Sequence, residues 1–293
     1  MYRHRFRSVR LRSVLPALLL FAVLLSAFPL SGCGATSAAA PAPSAPPAGQ
    51  ATSLIQAEPV SSPAPTPERT PEPTPEPTPD LSPLPESWFD DAVFFGDSIS
   101  VTLGKYADRT GILGDALFLC EFSYSVHNAV SGRLKIWYQN KQYAPQDVLP
   151  LTGAGKVFTM LGVNDVALPG GVDRTMEYWR QYIANIREKN PDILIFIESC
   201  LPVMYEFSDR NNDIIDDYNE RLRELCEETG CIYVDVAHYL KDKDNKLALE
   251  YCSDYGEHIT YEGARVWAEQ LRNPENYAVN PRTLEVPSHD TQD

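Results

Sequence analysis

Three short stretches of this 293-residue chain hold residue types that could do chemistry together. Gly96-Asp97-Ser98-Ile99-Ser100 offers a hydroxyl, and Gly162-Val163-Asn164-Asp165 offers a carboxamide. Asp254-Tyr255-Gly256-Glu257-His258-Ile259-Thr260-Tyr261-Glu262-Gly263 offers an imidazole and a carboxylate. A serine hydroxyl is a weak nucleophile until a base takes its proton, and histidine titrates in the range where that transfer is easy. An amide donates a hydrogen bond without titrating, which suits a developing oxyanion. Taken singly, each stretch has a plainer reading. Gly-Asp-Ser is a common turn, Asn-Asp after a strand often caps a helix, and a lone histidine before a helix is often structural. Their order along the chain, and the elements they follow, separate them from that background.

Those elements are short apolar runs bounded by turn residues: Ala92-Val93-Phe94-Phe95, Ala116-Leu117-Phe118-Leu119, Lys156 to Leu161, Ile193 to Ile197, and Ile232-Tyr233-Val234. None alternates cleanly with polar residues, which is the pattern of strands buried on both faces of a parallel sheet. Helical spacing lies between several of them. Val172 to Lys189 places Met176, Trp179, Tyr182, Ile183 and Ile186 on one side; Ile214 to Thr229 does the same with Ile215, Tyr218, Leu222 and Leu225 before Gly230; a last helix runs from Tyr261 to Leu271. Alternating strands and helices predict a parallel sheet covered on both faces. In such sheets sites form at the carboxyl ends of strands, and Ser98 and Asn164 directly follow the first and third runs.

With these blocks in this order, the sequence from Val93 to about Leu271 resembles the SGNH, or GDSL-type, hydrolases. The resemblance implies a flavodoxin-like three-layer α/β/α sandwich with about five parallel strands. It implies Ser98 as nucleophile, His258 as base, and an oxyanion held by the Ser98 backbone N–H and the Asn164 side chain. The family's usual acid stands three residues before the histidine, where this chain has Tyr255; Asp254 stands four before. One extra residue can bulge and still bring the carboxylate to Nδ1, or a backbone carbonyl can orient the ring instead. The family's second block normally supplies a glycine N–H to the oxyanion. The matching stretch here is Phe122-Ser123-Tyr124-Ser125-Val126, so Ser123 stands in the glycine's place and Gly132 is the fallback. His238, in Asp235-Val236-Ala237-His238, has the family's Asp-x-x-His spacing and is the rival base; His127 is the other histidine within the domain. His258 is preferred because Ile259 to Gly263 reads as the run into the last helix. Asp97 and Asp165 are read as caps or braces of their turns.

Other features carry less. The domain holds Cys120, Cys200, Cys226, Cys231 and Cys252, with no Cys-x-x-Cys and no zinc-like spacing, so neither metal nor cofactor is expected. Cys226 and Cys231 flank one turn and could pair or stay as thiols. Asp209 to Asp213 has Ile214 where a calcium loop needs glycine, and is read as loop then helix. Trp137, Tyr143, Tyr205, Phe207 and Tyr255 are read mainly as core, with some able to line a sugar or acyl pocket.

The remainder of the chain gives an address. Residues 1–32 carry five arginines between Arg3 and Arg12, then the apolar run Val14 to Leu25, the pattern of an export signal. Leu30-Ser31-Gly32-Cys33 resembles the lipobox of bacterial lipoproteins, which implies a lipid on Cys33. Residues 33–86 are rich in Pro, Thr, Ser and Glu, with Pro-Glu-Pro-Thr repeats, and read as an extended spacer. Residues 87–273 form the hydrolase domain and residues 274–293 a tail. Formal net charge is −15, and −20 without the five N-terminal arginines, which argues against nucleic-acid partners. The expected function is an exported serine esterase, lipid-anchored on the outer face of a bacterial cytoplasmic membrane. It would cleave acyl esters, by preference O-acetyl groups of wall or polysaccharide. A lipid or short-chain esterase, an acyltransferase and a non-catalytic glycan-binding module on the same fold are the alternatives.

Overall fold

A computed structural model describes residues 80–284, all within the second of the chain's two units, Pro73–Asp293. The export signal, Cys33 and nearly all of the spacer lie outside the described residues.

Five runs form one parallel sheet: β1 (Ala92–Gly96), β2 (Leu117–Cys120), β5 (Lys156–Met160), β6 (Leu194–Glu198) and β7 (Ile232–Val234), in the order β2-β1-β5-β6-β7. A separate antiparallel hairpin pairs β3 (Ile136–Tyr138) with β4 (Lys141–Tyr143). Counting only the strands of the main sheet, the order is the flavodoxin-like 2-1-3-4-5. The three-layer α/β/α fold expected from the sequence is the fold observed. The register brings aromatics side by side across four strands. Phe94 pairs with Phe118 and Phe158, and Phe158 with Phe196. Their rings stack at 4.6, 4.7 and 4.4 Å. Such cross-strand pairs add to the burial that holds a sheet in register.

Among the described residues there are six α-helices: α1 (Ser98–Thr110), α2 (Val126–Ser131), α3 (Pro145–Thr152), α4 (Gly171–Lys189), α5 (Asn212–Thr229) and α6 (Tyr261–Leu271). α1 packs against α6, while α4 packs against α2, α3 and α5, which gives the two helical layers. The short helices α2 and α3 and the β3–β4 hairpin escaped the sequence reading, because each is too brief to show a period.

The domain boundaries need correction at both ends. Residues 274–284, the described part of the expected tail, pack on the domain. Asp235 N–H donates to Asn276 O at 2.9 Å, and Ala278 N–H donates to Tyr233 O, also at 2.9 Å. An antiparallel bridge joins Val234 to Tyr277. The segment thereby covers the open edge of β7, which would otherwise leave backbone groups unpaired. On the other side, Leu84 is fully buried, its N–H donates to Arg272 O at 2.7 Å, and Arg272 Nε returns a bond to Leu84 O at 2.8 Å. Arg282 donates to Ser82 O at 2.5 Å, so the last residues of the spacer and the start of the tail are tied together. Packing therefore extends beyond 87 to 273 on both sides, to Ser82 and to Leu284.

Candidate active site

Ser98 is the first residue of α1, and β1 ends two residues before it. Asp97 is the N-cap: its Oδ1 accepts from Ile99 N–H at 2.9 Å. The chain reverses tightly here. A Cβ added to Gly96 would lie 2.0 Å from Ser100 Oγ, so glycine is needed for β1 to run into α1. As the first helical residue, Ser98 has a backbone N–H with no intrahelical partner, pointing with the positive end of the helix dipole.

His258 lies two residues before Thr260, which caps α6 by accepting from Gly263 N–H at 3.1 Å. Its Nε2 is 2.9 Å from Ser98 Oγ, and its Nδ1 is 2.5 Å from Asp254 Oδ2. With Nδ1–H donating to the carboxylate, Nε2 presents its lone pair to the serine hydroxyl, the arrangement a base needs. Tyr255 is the extra residue of this loop, and it adopts a left-handed φ of 60°. That bulge lets Asp254 reach the ring from four residues away. Gly256 N–H closes it by donating to Asp254 Oδ1 at 2.8 Å. Burial by itself would raise the Asp254 carboxyl. The bonds from the His258 ring and from the Gly256 and His258 N–H groups outweigh it and hold the carboxyl below its ordinary value.

The rival histidines stand elsewhere. His238 is exposed, with its ring against Tyr239, and Asp235 accepts from Ser199 Oγ at 3.2 Å. His127 stacks on Tyr178, with ring centroids 4.8 Å apart.

Asn164 follows β5 in a turn fixed from below. Tyr218 OH donates to Leu161 O at 2.7 Å and accepts from Trp179 Nε1 at the same distance. Gly162, at φ 147°, lets the Tyr218 ring approach, since a Cβ there would sit 2.5 Å from it. Asn164 Nδ2 donates to Asp97 Oδ2 and to Tyr124 O, each at 3.1 Å. Both amide hydrogens thus meet protein acceptors in this structure. Donation to a ligand oxygen requires one of these long bonds to be shared or exchanged.

Ser123 is exposed and has φ 56°, a left-handed conformation that explains why glycine suits this place. Gly132, the fallback, is the residue that ends α2, and its N–H is spent on Asn128 O at 3.0 Å. Asp165 caps α2 from a distance: its carboxylate accepts from Val126 and His127 N–H, each at 3.0 Å. It therefore braces the second block, with Ser123 at its start, against the third block.

Two buried acids lie beside these groups. Burial pushes the Asp97 carboxyl up to about 7, against the pull of the Ile99 N–H. Burial likewise pushes Asp165 up to about 6. Among the described residues no cluster of His, Cys, Asp or Glu could hold a metal ion. The five described cysteines are free thiols, Cys226 and Cys231 included.

The structure corrects one expectation about the surroundings. Of the five aromatics read mainly as core, only Tyr143 packs against the core. Trp137, Tyr205, Phe207 and Tyr255 are at least half exposed. Aromatic content alone does not separate a core ring from a rim ring, because both occur in apolar loop sequences.

A model of the GDSL-like lipase/acylhydrolase family matches residues 94–266. No curated protein sequence matches the chain. Among solved structures, one from Streptococcus pneumoniae assigned as a platelet activating factor aligns at 20% identity, TM-score 0.50, covering 64% of this chain and 88% of its own. A GDSL-like lipase from Bacteroides thetaiotaomicron aligns at 22% identity, TM-score 0.48, covering 62% and 86%.

Proposed function

We propose that this chain, which belongs to the GDSL-like lipase/acylhydrolase family, is a serine esterase working through an acyl-serine intermediate. The observation that carries the reading is the continuous path from Ser98 Oγ through His258 to Asp254, at 2.9 and 2.5 Å. Ser98 Oγ attacks the ester carbonyl carbon as its proton passes to His258 Nε2. The negative charge moves to the carbonyl oxygen, which is met by the Ser98 and Ser123 N–H groups and by Asn164. The tetrahedral centre collapses, the bond to the alcohol oxygen breaks, and that oxygen takes the proton from Nε2. Water then attacks the acyl-serine, gives a proton to the same nitrogen, and releases the acid as Ser98 recovers its proton.

The natural substrate we favour is an O-acetyl ester on a wall or other polysaccharide. Two features support it. The side chains of His258 and Asp254 are 38% and 42% exposed, so the site is open to a bulky alcohol part. The N-terminal sequence, ending in Leu30-Ser31-Gly32-Cys33, supports export and lipidation on Cys33, which would hold the enzyme at the outer face of the cytoplasmic membrane next to the wall.

The test is hydrolysis of p-nitrophenyl acetate by the wild type and by Ser98→Ala. A serine esterase loses nearly all turnover in the variant; equal slow rates in both would leave a glycan-binding module instead. Radiolabelled palmitate should enter the wild-type chain and not Cys33→Ser.

A further inference from the structure

Among the described residues seven aromatics are exposed: Phe122, Trp137, Tyr205, Phe207, Tyr239, Tyr255 and Tyr261. Three of them stand on two loops fastened to each other at the His258 side of the site. Tyr255 belongs to the loop from Asp254 to His258. Tyr205 and Phe207 belong to the loop between β6 and α5, and their rings meet edge to face at 5.1 Å. Met204 N–H donates to Gly256 O at 2.7 Å, which binds the second loop to the first. Arg210 reaches Glu257 at 3.4 Å and adds a second tie.

The aromatic loop is built to hold its shape. Phe207 and Arg210 exchange backbone hydrogen bonds at 2.8 and 3.2 Å, closing a tight turn. The Asn212 side chain accepts from Val203 N–H and donates to Val203 O, both at 2.8 Å. Glu206 Oε1 accepts from Asn212 N–H at 3.0 Å. A loop this well bonded presents two rings to solvent at 63% and 50% exposure, although a large core is available nearby. Two adjoining rings held exposed on a rigid frame are suited to recognition.

We propose that Tyr205, Phe207 and Tyr255 form a subsite for uncharged sugar rings of the alcohol part of the substrate. The proposal rests on the reading of Ser98 as the nucleophile of an ester hydrolase. Rigid aromatic faces take up the C–H face of a pyranose at small entropic cost, and the tyrosine hydroxyls can bond the sugar's edges. Two observations favour a neutral sugar over other occupants. Arg210, the cation of this loop, is committed to Glu257, and the chain's charge of −15 disfavours anions. The open exposure of His258 and Asp254 favours a broad glycan lying across the site over a long acyl chain, which needs enclosing walls.

The experiment compares the full chain with Tyr205→Ala/Phe207→Ala on chemically O-acetylated xylan, p-nitrophenyl acetate and p-nitrophenyl octanoate. The conservative pair Tyr205→Phe/Phe207→Tyr controls for folding. The expected result is a rise in KM on acetylated xylan that exceeds any change on p-nitrophenyl acetate by on the order of tenfold, with the conservative pair near wild type. Equal effects on xylan and p-nitrophenyl acetate would overturn the subsite while leaving the esterase intact. Loss confined to the octanoate would assign the rings to an acyl chain and also overturn it. Gel retardation of Ser98→Ala by the same xylan reads the subsite without catalysis: retardation that disappears with the two rings supports it, and none at all counts against it. Absence of Ser98-dependent turnover on p-nitrophenyl acetate sinks the esterase reading alone.

Discussion

Asp97 and Asn164, on turns after different strands, are joined by a 3.1 Å hydrogen bond, while the same carboxylate caps the helix that carries Ser98. One buried acid thus sets both the start of the helix that carries Ser98 and the position of the Asn164 carboxamide. Asp97→Asn keeps the size but replaces one acceptor oxygen by a donor. The Ile99 N–H and the Asn164 amide can no longer both be accepted as they are. We expect kcat on p-nitrophenyl acetate to fall on the order of ten- to a hundredfold, with Ser98 still able to form an adduct, because the change acts on oxyanion support and not on the base. Wild-type turnover in this variant would remove Asp97 from any positioning role.

Asp254→Asn tests the bulged loop. The amide cannot accept the Nδ1–H as the carboxylate does, so the imidazole loses the tautomer that leaves Nε2 free. The expected loss in kcat is on the order of 10²- to 10⁴-fold. A loss of less than about threefold, well short of the tautomer penalty, would show that a backbone group orients the ring instead.

Three buried acids make stability fall as pH rises. Burial pushes Glu198 up to about 8, Asp97 to about 7 and Asp165 to about 6. In the unfolded chain such carboxyls release their protons near pH 4. Between about pH 4 and 8 the folded state therefore holds more protons than the unfolded state, and stability declines as pH climbs. Glu198 is fully buried, and its Oε2 accepts from Trp267 Nε1 at 2.7 Å. Glu198→Gln keeps an acceptor for that indole and removes the charge. Denaturant unfolding should find the variant's advantage over wild type growing by on the order of 3 kcal/mol between pH 5 and pH 8. The opposite trend would mean that Glu198 is ionised in the folded protein.

The segment beyond α6 is predicted to be structural. Tyr277 is buried, packs edge to face on Phe196 at 5.9 Å, and donates its hydroxyl to Leu271 O at 2.5 Å. Tyr277→Ala should cost about 3 kcal/mol in urea unfolding, the usual price of deleting a buried ring. Truncation after Asn273 should cost more, since it also uncovers the edge of β7.

Much of this was legible in the sequence for particular reasons. Strands β1, β5, β6 and β7 are buried almost throughout and the edge strand β2 partly, so their apolar runs were continuous and carried a strong signal. Ser98, Asn164 and His258 could be picked because each directly follows a strand or precedes a helix, where geometry is constrained. The register that brings His258 to Ser98 across 160 residues is tertiary and was visible only through the family resemblance. The bulge at Tyr255 was one of two options the Asp254-to-His258 spacing offered; its left-handed φ, which decides between them, leaves no compositional mark. The rings at Tyr205 and Phe207 were misread for a related reason: hydrophobic residues are assigned inward unless the loop holding them is known. The closing segment from Pro274 to Leu284 lacked any period, so its packing on β7 could not be anticipated.

The central claim is that Ser98 is the nucleophile activated by His258. A fluorophosphonate probe followed by mass spectrometry of the tryptic peptides tests it most directly. The expected result is a single adduct on Ser98, abolished in Ser98→Ala, slowed at least about a hundredfold in His258→Ala, and unaffected in His238→Ala. No adduct on Ser98 in the folded wild-type protein, or undiminished labelling in His258→Ala, would contradict it.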